Sequence, residues 1–131
     1  MELGKHSRNR LLDSMVHWHI DKDYADPIYN YLVFGWEPGS FFTSVLANDF
    51  MNAMHRSHPA NTIPALKHVA GWIHNACPEE AWGSYEKVRD WCQMPGDQRR
   101  AILVACGLVY TEQQETYLIL KGERTVEPVF Y

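Results

Sequence analysis

The polarity pattern is dominated by three amphipathic stretches between Trp36 and Cys92, punctuated by Pro38-Gly39, Pro59, Pro78 and Trp82-Gly83-Ser84. Glu37-Pro38-Gly39-Ser40 stops whatever precedes it, and Ser40 can cap a helix by accepting a backbone N–H. From Phe41 to Met54 the apolar residues Phe42, Val45, Leu46, Phe50, Ala53 and Met54 fall at helical spacing, which predicts one helix over 40–56. A second helix is predicted over 63–76. Asn61 or Thr62 caps it, and Pro64 sits in the first turn, where its missing N–H costs nothing. Its apolar face is Ile63, Leu66, Val69, Ala70, Ile73 and Cys77, and Pro78 ends it. A third, over 84–93, starts at Ser84 with Glu86 in the first turn, where the helix dipole favours it, and turns Tyr85, Val88, Trp91 and Cys92 to one side. Three such helices on short connections pack against one another.

The flanks extend this pattern. Leu11 to Ile20 reads as a short helix after a loose end over Met1–Asn9, and Asp26-Pro27 starts a helix over 27–34 that Gly35 stops. Asp97 caps a further helix over Gln98–Cys106 with Gly107 as its stop, although Leu103–Tyr110 could equally be one continuous strand. Leu108-Val109-Tyr110 and Thr116–Leu120 are rich in β-formers and separated by Glu112-Gln113-Gln114-Glu115, which predicts an antiparallel hairpin. Val126–Tyr131 would add an edge strand interrupted by Pro128. The expected class is therefore α+β: a single domain over 1–131, predominantly helical with about five or six short helices. Residues 1–10 are expected to be flexible, and 108–131 to form the hairpin and tail.

Composition narrows the setting. With 131 residues, 46% of them apolar, the chain can bury a core without staples. Cys77, Cys92 and Cys106 are widely spaced and include no C-x-x-C pair, which implies reduced, buried thiols on helix faces and a cytoplasmic home. No apolar run has the length of a membrane span, and the basic N-terminus lacks the apolar core of a signal peptide. A net charge of −4 argues against a general nucleic-acid binder. A nucleic-acid regulator would have to use the basic N-terminus and Arg99-Arg100.

Chemistry candidates are few. The seven histidines form no H-E-x-x-H or Cys/His pattern, and Pro59 follows His55-x-x-His58, so neither a metal nor a cofactor is expected. Cys77 lies near His74 but on an apolar face at a helix C-terminus, the wrong place for a low-pKa nucleophile. The one odd feature is polar. Asp49 falls in the apolar stripe of the 40–56 helix, with Asn52 and Arg56 one and two turns on. A buried carboxylate needs partners, so the row is either a structural network or a small cleft. In a cleft, Asp49 would be the acid/base and Arg56 the grip on an anion. A concave pocket at Asp49 would favour an enzyme or ligand binder, and an exposed apolar patch a protein binder.

Asp23-Tyr24-Ala25-Asp26-Pro27, Pro38-Gly39-Ser40-Phe41, Val45-Leu46-Ala47-Asn48-Asp49 and Trp82-Gly83-Ser84 before Val88 and Trp91 resemble a group of small tailed-bacteriophage and prophage proteins, over roughly residues 23–92. The resemblance implies a phage accessory protein in the bacterial cytoplasm and no mechanism. The expected function is binding of a host or phage protein, with inhibition of a host or defence component as one form of it. The alternative is a small enzyme or ligand-binding protein built on Asp49, Asn52 and Arg56. Self-association stays open.

Overall fold

The computed structural model describes residues 2–58 and 61–130. Eight α-helices and one 3₁₀ turn order these residues: α1 Lys5–His17, α2 Lys22–Phe34, α3 Ser40–Leu46, α4 Phe50–Arg56, α5 Ile63–Ala76, the turn Glu79–Ala81, α6 Tyr85–Gln93, α7 Gly96–Ala105 and α8 Glu112–Leu120. Among the described residues there is no strand, so the class is all-α and the α+β expectation is overturned. Pro59 and the last residue of the expected edge strand, Tyr131, lie outside the described residues; 123–130 runs on without regular structure.

The hairpin fails for a local reason. Thr111-Glu112-Gln113-Gln114 is a capping box, not a turn: the Gln114 N–H donates to Thr111 Oγ1 (3.1 Å) and the Thr111 N–H donates to Gln114 Oε1 (2.9 Å). This nucleates α8 in spite of the β-formers that follow, and Glu115 then locks it in place. The Glu115 carboxylate is buried against the first turn of α1, accepting from His6 N (2.8 Å), Ser7 N (3.0 Å) and Ser7 Oγ (3.2 Å). The loose end expected over residues 1–10 is thus mostly helix. Gly4 carries no capping side chain, and Glu115 takes that role from the far end of the chain. A Cβ at Gly4 would stand 2.3 Å from Glu115 Oε1, so only glycine lets the two approach.

α2 lies at the centre and packs against α1, α6 and α7. It begins five residues before Pro27, capped by Asp21, whose side chain accepts from Asp23 N. Burial of Ala25 together with Ile28 outweighs the single helix hydrogen bond that Pro27 forgoes. Gly35 ends the helix at φ 70°, as the sequence suggests. Tyr31 and Trp91 form the polar seam of the core. Tyr31 Oη donates to Ala81 O (2.7 Å), and Trp91 Nε1 donates to Tyr31 O (3.1 Å). Trp72 of α5 donates to Ser14 Oγ of α1 (3.0 Å). Each buried aromatic thus places its polar atom on a partner while the ring fills the interior with Leu11, Met15, Ile28, Leu46 and Leu103.

α7 supplies a buried cation. Arg99 donates Nε to Val33 O (3.3 Å) in the last turn of α2 and Nη1 to Met94 O at the end of α6. Arg100 is only half-exposed and lies beside Tyr110 O and Glu112. Arg8 pairs with Glu127, and Arg10 donates to Gly107 O. Arg8, Arg10, Arg99 and Arg100, four of the cations that a nucleic-acid reading would use, thus each have a partner within the fold.

The Glu115 clasp sets a measurable expectation. Glu115→Ala leaves the first N–H groups of α1 without their acceptor and should cost about 1.5–3 kcal/mol in urea unfolding. Glu115→Gln keeps one acceptor and should recover part of that loss. A change under about 0.5 kcal/mol in the Ala variant would show that the clasp is energetically idle.

Candidate functional site

The helix expected over 40–56 is two helices meeting at Asn48-Asp49. Asn48 adopts φ 60°, the left-handed conformation that asparagine tolerates better than most residues. Leu46, the last residue of α3, offers its carbonyl to Gly83 N (2.7 Å), which anchors the break to the Trp82-Gly83-Ser84 turn. Asp49 is then the N-cap of α4: its Oδ1 accepts from Asn52 N (3.3 Å) and its Oδ2 from Asn52 Nδ2 (2.6 Å). A third donor arrives from α6, where Tyr85 Oη lies 2.6 Å from Asp49 Oδ2. The Tyr85 hydroxyl, followed by the Asn52 side chain and backbone, holds the Asp49 carboxyl below the usual aspartate range. Arg56 adds only a weaker Coulombic pull.

Asp49 and Asn52 are therefore brought together, and Tyr85 joins them; sequence spacing could not supply that residue. Arg56 goes elsewhere. Its Nη1 donates to Ser44 Oγ (2.9 Å) and Ser40 O (3.4 Å), tying the end of α4 back onto α3, and no ion pair joins it to Asp49 among the described residues. Arg56 and Tyr85 border a separate hollow of about 470 Å³ beside Gly39, Arg89 and Cys92. Ser40 is the first residue of α3 and makes no side-chain cap; its carbonyl also accepts from Ser44 Oγ.

The break has a second effect. A straight helix would have kept Phe42, Val45, Leu46, Phe50, Ala53 and Met54 on one buried stripe. In the observed pair, α3 buries Leu46 while α4 buries only Ala53. Phe50 and Met51 are left 70% and 75% exposed, with Met54 and Ile63 of α5 also open to solvent. Between α3, α4 and α5 lies a groove of about 430 Å³ lined by Phe41, Val45, Ala53, Met54, Leu66 and Val69, with Asp49 and Lys67 as its only charged residues among those described. Leu66, expected in the core, is half-buried because it lines this groove.

The remaining candidates fall away from the site. Among the described residues no group of three or more His, Cys, Asp or Glu could hold a metal ion. All three cysteines are free thiols, but only Cys77 is buried as expected; Cys92 is half-buried and Cys106, just past the end of α7, is exposed. Burial pushes the Cys77 thiol far up, the opposite of what a nucleophile requires. No family model, curated protein or solved structure matches the chain.

The lowered pKa of Asp49 fixes the sign of a pH effect. Its contribution to stability is fully present above the ordinary aspartate value of 3.8 and is lost as pH falls through the lower folded-state value. Asp49→Asn should melt below the wild type at neutral pH, and the gap in melting temperature should close over the acid range below the ordinary aspartate value of 3.8. A gap that stays constant over that range would mean that the Asp49 charge takes no part in the cap.

Proposed function

We propose that this protein is a small phage-encoded accessory protein that acts in the bacterial cytoplasm by binding another protein through the α3–α4–α5 groove. The observation that carries the reading is the exposed apolar set Phe50, Met51, Met54 and Ile63 around a concave, apolar-lined groove. Methionines at such a rim adapt to a partner's shape at little cost. The phage setting follows the sequence resemblance, and inhibition of a host or defence component is the form of action that setting suggests. No helix among the described residues is long and apolar enough to cross a membrane, in keeping with this reading.

The acid/base alternative has less behind it. Asp49 does border a concave site, but three hydrogen bonds to its carboxylate favour the ionised form, as suits a helix cap better than a proton carrier. Arg56 is turned away from it.

The test compares tagged wild type with Met54→Glu and Phe50→Glu, both surface changes that should leave the melting temperature within a few degrees of wild type. A protein retained from host cells by the wild type and lost by both variants is then purified and titrated against all three. Binding weakened at least about tenfold by either charge supports the groove. A partner that binds both variants as tightly as wild type removes the groove from the function.

A further inference from the structure

We infer that His19 and His68 together form a binding site for one divalent late transition metal ion, of which zinc is the simplest case. Neither residue lines the α3–α4–α5 groove, so the site is separate from the binding surface described above. The two imidazoles come from different elements, His19 from the α1–α2 connection and His68 from α5. Their ring centres stand 5.7 Å apart at an interplanar angle of 48°. Two imidazoles on one tetrahedral ion, each bound at about 2.0–2.1 Å, hold their ring centres roughly 5 Å apart, so a small side-chain rotation closes the pair on a metal. His19 is exposed and His68 half-buried, which lets an ion reach both from solvent. Imidazole donors select zinc, nickel or copper over magnesium and calcium, which prefer oxygen. Among the described residues no third His, Cys, Asp or Glu completes a cluster, so water or a group from another molecule takes the remaining positions.

The pair is built on fixed backbone. His19 closes α1: its N–H donates to Val16 O (2.9 Å), the next N–H, of Ile20, donates to Met15 O (3.1 Å), and Ile20 is buried. This turn holds His19 at φ 57°, the left-handed position after a helix where glycine is the usual residue. A histidine there carries a conformational cost that glycine would avoid, and such costs collect where a side chain has work to do. On the α5 side, Trp18 lies so close to Gly71 that a Cβ at Gly71 would stand 3.2 Å from its ring. Trp72 Nε1 adds its bond to Ser14 Oγ (3.0 Å). These contacts fasten the end of α1 to α5 within about a turn of His68 and set the spacing of the two rings before any ion arrives. Ligands carried on fixed elements lose little freedom on binding.

The experiment titrates zinc, and magnesium for comparison, into the full-length protein by calorimetry. One zinc ion per chain should bind, and magnesium should not. His68→Ala and His19→Gly each remove one of the two protein ligands and should weaken zinc binding at least about tenfold. His74→Ala, on the same helix but against Trp82, should leave it unchanged. Zinc should raise the melting temperature of the wild type and of His74→Ala, and not that of the other two. Glycine suits the left-handed backbone at position 19, so metal-free His19→Gly should melt within a few degrees of metal-free wild type, and its loss of binding is then no loss of fold. Cobalt reports the kind of ligand: a spectrum without a thiolate charge-transfer band supports the histidine pair. A strong thiolate band would assign the ion to a cysteine and overturn the site. So would the absence of saturable one-to-one zinc binding, or zinc held as tightly by either ligand variant as by the wild type.

Discussion

Two charges are carried into the interior, and the fold depends on how they are met. Arg99 and Glu115 are both nearly inaccessible, and neither is paired with an opposite side-chain charge among the described ion pairs. Isolated in an apolar core, either charge would cost several kcal/mol, on the order of the whole stability of a small domain. Each is instead met by helix ends. Glu115 sits where the first N–H groups of α1 converge, and Arg99 sits where α2 and α6 run out of partners for their carbonyls. A helix dipole presents partial positive charge at its start and partial negative charge at its finish, so both placements have the favourable sign. Five helices, α8 with α1 and α7 with α2 and α6, are tied in this way through groups that every helix must satisfy somehow.

The surface of interest arises from the same economy at a different joint. α3 and α4 are too short to stand alone, and they are held by the Asn48-Asp49 break, the Gly83 bond to Leu46 and the return of Arg56 to Ser44. The polar row that looked like chemistry in the sequence is what holds the kink. The kink in turn presents apolar residues that a straight helix would have buried. The polar residues shape the site, and the apolar ones give it something to bind.

The sequence was most legible where one signal acted locally. Thr62 and Pro64 start α5, Ser84 starts α6, and Gly35 and Gly107 end α2 and α7 at positive φ, all from residue types with a single strong preference. It was least legible where a local preference met a distant group. Thr116–Leu120 favours strand by composition, yet a capping box and the contact of Glu115 with residues more than a hundred positions away make it helix. The break at Asn48-Asp49 was written in the chain as a left-handed residue followed by a strong cap, but the apolar periodicity running across it pointed to continuity. Asp49 and Asn52 could be joined by spacing alone. Tyr85 could not, because nothing in a linear pattern tells one helix which hydroxyl another will bring.

The Glu115 clasp also orders events in time. His6 and Ser7 lie 109 and 108 positions before the carboxylate that completes their helix. On a ribosome the chain emerges from its N-terminus, so the segment that becomes α1 must wait for nearly all the remaining residues before its first turn is satisfied. The central helices have short-range partners and can associate while synthesis continues. Among the described helices α1 is made before the others, and although its apolar face can pack early on α2, its first turn is among the last parts to be completed.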